Sequence, residues 1–93
     1  MQKVLEAIAD PNRRKILDLL KSGEKSVGEL NENFEISGAS MSHHLNKLKA
    51  AELVISRRCG QSIYYSINTS VFEDAAKALF DFFDGKGKEA RRK

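Results

Sequence analysis

Residues 36–53 read ISGASMSHHLNKLKAAEL, and residues 54–67 read VISRRCGQSIYYSI. These two stretches hold side chains suited to three kinds of chemistry. Ser42 beside His43 has the makeup of a nucleophile and its base, but neighbours on a helix diverge by about 100° and do not face each other. The same divergence keeps His43 and His44 from closing on one metal ion, and Cys59 alone cannot build a thiolate site within one chain. The third chemistry is contact with a nucleic acid. Serine hydroxyls donate or accept, so Ser40 and Ser42 tolerate several bases and also bind phosphate. Lys47, Lys49, Arg57 and Arg58 fall within twelve residues, interrupted by one acid, Glu52.

Bulk charge points to the same segment. The formal charge of the 93 residues is +3. The last nine, GKGKEARRK, hold five Lys/Arg and one Glu, a net +4, which leaves 11 Lys/Arg against 12 Asp/Glu, or −1, in residues 1–84. The body is not a polycation, so a nucleic-acid reading rests on where its positive charges lie. The length implies one domain, small enough to need help in burying its surface, and oligomerisation is a common source of it. A single cysteine excludes an internal disulfide framework and fits a reducing compartment. Neither end carries an apolar run near the roughly 20 residues of a membrane span, and the start, MQKVLEAIAD, is too short and acidic for a signal peptide. A soluble cytoplasmic protein, working as a dimer, is the expectation.

The elements that must hold these residues follow from caps and apolar spacing. A first helix over about residues 2–9 carries Val4, Leu5 and Ile8. Asp10-Pro11 stops it and starts a second helix to about 21, with Ile16, Leu17 and Leu20 inward. Ser26 and Glu29 have capping-box spacing and open a short third helix over 26–33. Ser37 caps a fourth, about 38–51, whose Met41, Leu45 and Leu48 form one apolar stripe. Ser40, Ser42, His43, Asn46, Lys47 and Lys49 are left for the other surface. Two β-rich runs around Gly60 then predict a hairpin. The last helix, about 70–84, has Phe72, Leu79, Phe80, Phe82 and Phe83 on more than one face, so a partner subunit is expected to cover part of it. Residues 85–93 are expected to form a flexible basic tail.

The predicted fold is mostly α with a small β-hairpin, a winged helix-turn-helix in the order α-α-α-α-β-β-α. Three segments resemble the ArsR/SmtB family of bacterial winged-helix repressors. The first is Ala7-Ile8-Ala9-Asp10-Pro11-Asn12-Arg13-Arg14-Lys15-Ile16-Leu17, similar to the family's A-x-x-D-P-T-R-x-x-I-L opening. The second is Ser40-Met41-Ser42-His43-His44-Leu45 with Leu48, Ala51, Leu53 and Val54, and the third Arg57-Arg58-Cys59-Gly60-Gln61-Ser62-Ile63-Tyr64-Tyr65. These look like the family's recognition helix and wing. The match spans about residues 4–83. The D-P-N-R-R-K-I-L form and the missing metal ligands look closest to the SdpR-like autorepressors.

The resemblance implies a homodimeric, sequence-specific repressor, not an enzyme, that binds double-stranded DNA at a near-palindromic operator, its own promoter included. DNA contacts are expected from Ser37, Gly38, Ser40, Ser42, His43, Lys47, Arg57, Arg58, Gln61 and Tyr65. Arg57 and Arg58 alternate sides of a strand, so only one can face the DNA. A dimer core is expected from Val4, Leu5, Ile8, Phe72, Leu79, Phe80 and Phe83. His44 and Arg13 have structural roles open to them within the domain. Ser26 and Gly28 stand where metal-sensing members carry cysteines, so no metal or other cofactor is expected. Two alternatives stay open: release by a ligand or by oxidation of Cys59, which sits beside two arginines, and a winged-helix interaction module without DNA binding.

Overall fold

Helices here begin where a short polar side chain can take up the free N–H groups of a first turn. Asp10 accepts from the backbone N–H of Arg13 at 3.1 Å, with Pro11 in the first helical position. Ser26 and Glu29 complete a reciprocal capping box at 3.1 and 2.8 Å. Ser37 accepts from Ser40 N–H at 3.0 Å. The computed structural model describes residues 2–92, with side chains over 2–83. Its order is α1 (Gln2–Ile8), α2 (Pro11–Leu20), β1 (Lys25–Ser26), α3 (Val27–Asn31), α4 (Gly38–Ala50), β2 (Val54–Cys59), β3 (Ser62–Ile67) and α5 (Thr69–Arg92). Among the described residues no helix is long and apolar enough to cross a membrane.

The predicted apolar stripes converge on one core. Ile16, Leu17 and Leu20 of α2 meet Leu30 of α3, Met41, Leu45 and Leu48 of α4, and Leu53, Val54 and Tyr65 of the hairpin. β2 and β3 pair antiparallel from Val54↔Ile67 to Cys59↔Ser62, which leaves Gly60 and Gln61 as a two-residue turn. Gly60 has φ +64°, the left-handed conformation such turns favour in glycine.

Two parts of the expected order are corrected. A third strand, β1, precedes α3 and pairs with β3 through Lys25↔Tyr65 and Ser26↔Tyr64, giving the sheet order β1-β3-β2. Two residues are too few to show an alternating pattern; the strand exists because the edge of β3 is there to pair with it. The last helix runs to Arg92 instead of ending near Asp84. Gly85 and Gly87 each weaken a helix by about 1 kcal/mol relative to alanine, but Lys86, Lys88, Glu89, Ala90, Arg91 and Arg92 are strong helix formers. Position 93 lies outside the described residues.

The join between α4 and β2 sets the angle of the hairpin. The N–H of Leu53 reaches the carbonyl of Leu48 at 3.0 Å, and that of Glu52 reaches Lys49 at 2.9 Å. This double closure needs a left-handed residue at position 52. Glu52 supplies it, at φ +62°, where glycine would sit without strain. Leu53 follows, fully buried. Replacing Glu52 with Gly should therefore raise stability by about 0.5–1 kcal/mol in urea denaturation, since relief of strain exceeds the added chain entropy. Leu53→Ala should lower it by about 2–5 kcal/mol.

Candidate nucleic-acid interface

One side of α4 is spent on the core. Met41, His44, Leu45 and Leu48 are buried, while Ser42, His43, Asn46, Lys47, Lys49 and Ala50 are exposed. Ser37 and Gly38 stand exposed at the N-terminal end and Ser40 is half-buried. Ser37 already uses an oxygen lone pair as the cap, which leaves its hydroxyl proton free to donate. Beside α4 lies a cleft of about 520 Å³, walled by Ser42 and Asn46 on one side, by Gln61, Ser62 and Ile63 of the hairpin on the other, and by Ser26 and Gly28 at one end. Its polar side chains are uncharged.

The hairpin separates its two arginines. Val54, Ser56 and Arg58 pair with Ile67, Tyr65 and Ile63 on the core side of the sheet; Ile55, Arg57 and Cys59 pair with Ser66, Tyr64 and Ser62 on the other. Arg57 donates from Nε and Nη2 to the two carboxylate oxygens of Glu24 at 2.7 and 2.8 Å. Its guanidinium also lies over the Tyr64 ring, 5.0 Å from the centroid. Arg58 is exposed and makes no hydrogen bond or ion pair with the described residues. Geometry thus engages Arg57 within the fold and leaves Arg58 available.

Tyr65 does not match its expected role. It is only 7% exposed and belongs to the core, because its side chain points to the same face as Val54. It meets the cleft only as part of the lining. Arg13 and His44 are structural. Arg13 donates from Nε to the carbonyl of Ala7 at 2.7 Å and from Nη2 to that of Glu6 at 3.2 Å, closing the end of α1. Its Nη1 lies 3.2 Å from Nδ1 of His44, and Asp10 Oδ2 lies 3.7 Å from the same nitrogen. Nδ1 cannot accept from Arg13 and donate to Asp10 at once. The shorter contact decides for acceptance, which places the ring proton on Nε2. Burial pushes the Asp10 carboxyl up, but the N–H bond from Arg13 and the nearby positive charge outweigh it and leave the carboxyl below its ordinary value.

His43 remains exposed, its ring 5.8 Å from that of His44, which turns inward. Ser26, where the resemblance puts a metal-binding cysteine, is occupied as a cap, and Gly28 carries no side chain. Among the described residues no three His, Cys, Asp or Glu side chains gather around a common point.

The residues fit a known architecture. The model of the family described as "Bacterial regulatory protein, arsR family" matches residues 10–56. The chain belongs to the ArsR family. It is 51% identical over 84 residues to the transcriptional repressor SdpR of Bacillus subtilis, covering 90% of this chain and 93% of that one. It is 34% identical over 79 residues to the arsenical resistance operon repressor of Staphylococcus aureus, covering 85% and 76%. The crystal structure of a possible transcriptional regulator for arsenical resistance superposes with a TM-score of 0.76 at 39% identity, covering 85% and 81%. As an ArsR-family member the chain is a DNA-binding transcriptional regulator, not an enzyme.

Two residues of this ArsR-family surface escaped the site expected from sequence. Glu24 anchors the wing, and only the pairing of β1 with β3 brings it to Arg57. Asn46 lines the cleft, and its i, i+4 spacing from Ser42 was a readable signal. The hydrogen bonds from Arg57 hold the Glu24 carboxyl below the ordinary 4.5 of a glutamate. A depressed carboxylate contributes stability above its unfolded value, and that contribution is lost as pH falls through the folded one. The wing anchor should therefore be complete at neutral pH. An NMR titration of the Glu24 carboxyl should give a midpoint under 4.5 in the native chain, returning to about 4.5 in Arg57→Ala.

Proposed function

We propose that this chain represses transcription as a homodimer on a near-palindromic operator, including one in its own promoter, and does so without a bound metal. The observation that carries the reading is the pairing of a capped, exposed face of α4, beside a cleft whose polar side chains are uncharged, with a wing whose Arg58 is unengaged by the described residues. Small residues at the start of the helix let backbone and hydroxyls approach base edges and phosphates. Ser37, Gly38, Ser40, Ser42, His43 and Gln61 supply such contacts, and Lys47 and Arg58 meet phosphates. Arg57 supports the wing from behind. The work is done in the cytoplasm, where the DNA is.

The dimer rests on an apolar face that one chain leaves open. Val4, Leu5 and Ile8 of α1 and Phe72, Ala75, Ala76 and Leu79 of α5 border a groove of about 200 Å³ floored by Leu53. Beyond it Phe80 and Phe83 are 74% and 67% exposed. So much exposed aromatic surface on a soluble domain calls for a partner. A second copy places two α4 helices about 34 Å apart, one helical turn of DNA. Metal-independence rests on Ser26 and Gly28, which offer no thiolate.

Binding to a duplex from the upstream promoter region should survive competitor DNA and weaken with salt. Arg58→Ala should weaken binding to all sequences and lower the salt slope by about 1 per protomer, whereas Arg57→Ala should leave the slope nearly unchanged. Equal slopes for both variants would reverse the assignment. Sedimentation should show a dimer in the native chain and a monomer in Phe80→Ser/Phe83→Ser, with operator affinity falling by at least about 100-fold as the second half-site is lost.

A further inference from the structure

We propose that Asn46 is a base-reading residue of α4, selecting an adenine in each operator half-site. This rests on the operator reading above and assigns a residue within it. At about 100° per residue, the buried side chains Met41, His44, Leu45 and Leu48 average to one line along α4. Opposite that line, Asn46 and His43 each fall within about 30°, whereas Ser42 and Lys47 lie about 70° away on either flank. The middle of the outward face is therefore an amide and an imidazole, and the cation stands at the margin.

The neighbours of Asn46 fit insertion into a groove. Ala39 and Ala50 lie on nearly the same outward line, about two turns before and about one turn after it, and carry only a methyl. The helix backbone can approach closely there, and the longer amide then reaches deepest. Asn46 is exposed and makes no hydrogen bond with the described residues, so its donor and acceptor are both available. A neutral amide gains little from a phosphate but matches the N6 donor and N7 acceptor of adenine with two bonds at once. Phosphate contacts are left to Lys47 and Arg58 on the margins, the division expected between positioning and reading groups.

The test begins with selection of bound duplexes from a random pool by the full native chain. Equilibrium binding of the native chain and of Asn46→Ala is then measured on the selected duplex and its single-base variants, at about 50 and 200 mM salt. The native chain should enrich an adenine at one position of each half-site. Asn46→Ala should bind the selected duplex roughly five- to hundredfold more weakly per half-site. It should lose nothing further when that adenine is replaced, and should keep the native salt slope and melting temperature. Native-like affinity on the selected duplex would overturn the assignment, as would an equal loss on every sequence or a shallower slope, which mark a phosphate contact. A native chain that enriches no sequence would overturn the operator reading itself, and the Asn46 assignment with it.

Discussion

Leu53 joins the three working parts of the molecule. Its N–H closes α4 on the carbonyl of Leu48 at 3.0 Å, and its own carbonyl accepts from Asn68 at the start of α5 at 2.9 Å. Its side chain is fully buried and floors the groove between α1 and α5. One residue therefore fixes where α4 ends, where the hairpin begins and where the long helix departs. The left-handed Glu52 just before it is the strain this arrangement carries. The spacing between α4 and the wing thus depends on a turn of two residues together with the core contacts of Leu53, Val54 and Tyr65.

Charge is placed with the same economy. A chain whose first 84 residues carry a slight negative excess cannot hold DNA by bulk attraction. Its cations must therefore be sorted. Pleating puts Arg57 and Arg58 on opposite faces of β2, and Glu24 takes the first in a two-pronged bond while Tyr64 stacks beneath it. An exposed ion pair of this kind adds little to overall stability. Its consequence is positional: the outer face of the wing is tied to the segment before α3, and the inner face keeps a single arginine. The cleft beside α4 is lined by uncharged polar side chains, and Arg58 is not among them.

Local chemistry was legible in the sequence wherever it was local. Asp10-Pro11, Ser26 with Glu29, and Ser37 announced three helix starts, and the Met41, Leu45, Leu48 stripe announced which side of α4 is buried. Strand pairing was not legible where it was short: Lys25 and Ser26 have no pattern, and their partner lies some 40 positions away in β3. A separation of 33 positions likewise hid Glu24 as the partner of Arg57. Tyr65 was misread because aromatic residues in a hairpin serve either face, and only the register with Ser56 assigns it to the core. The end of α5 was misread because two glycines outweighed the strong helix formers around them.

The adjacent histidines show how one step along a helix separates two roles. His43 points outward beside the cleft, while His44 turns into a joint made by Arg13 and Asp10. Arg13 binds the last carbonyls of α1 and the ring of His44 with one guanidinium, so it links the helix that borders the apolar groove to α4. That coupling requires a free lone pair on Nδ1; a proton there would set an N–H against the guanidinium and turn the ring toward Asp10. The imidazole is thus held as an acceptor between two charged side chains of α2 and the loop before it. The apolar face and the exposed face of α4 are thus joined through Arg13 at one place and through Leu53 at another.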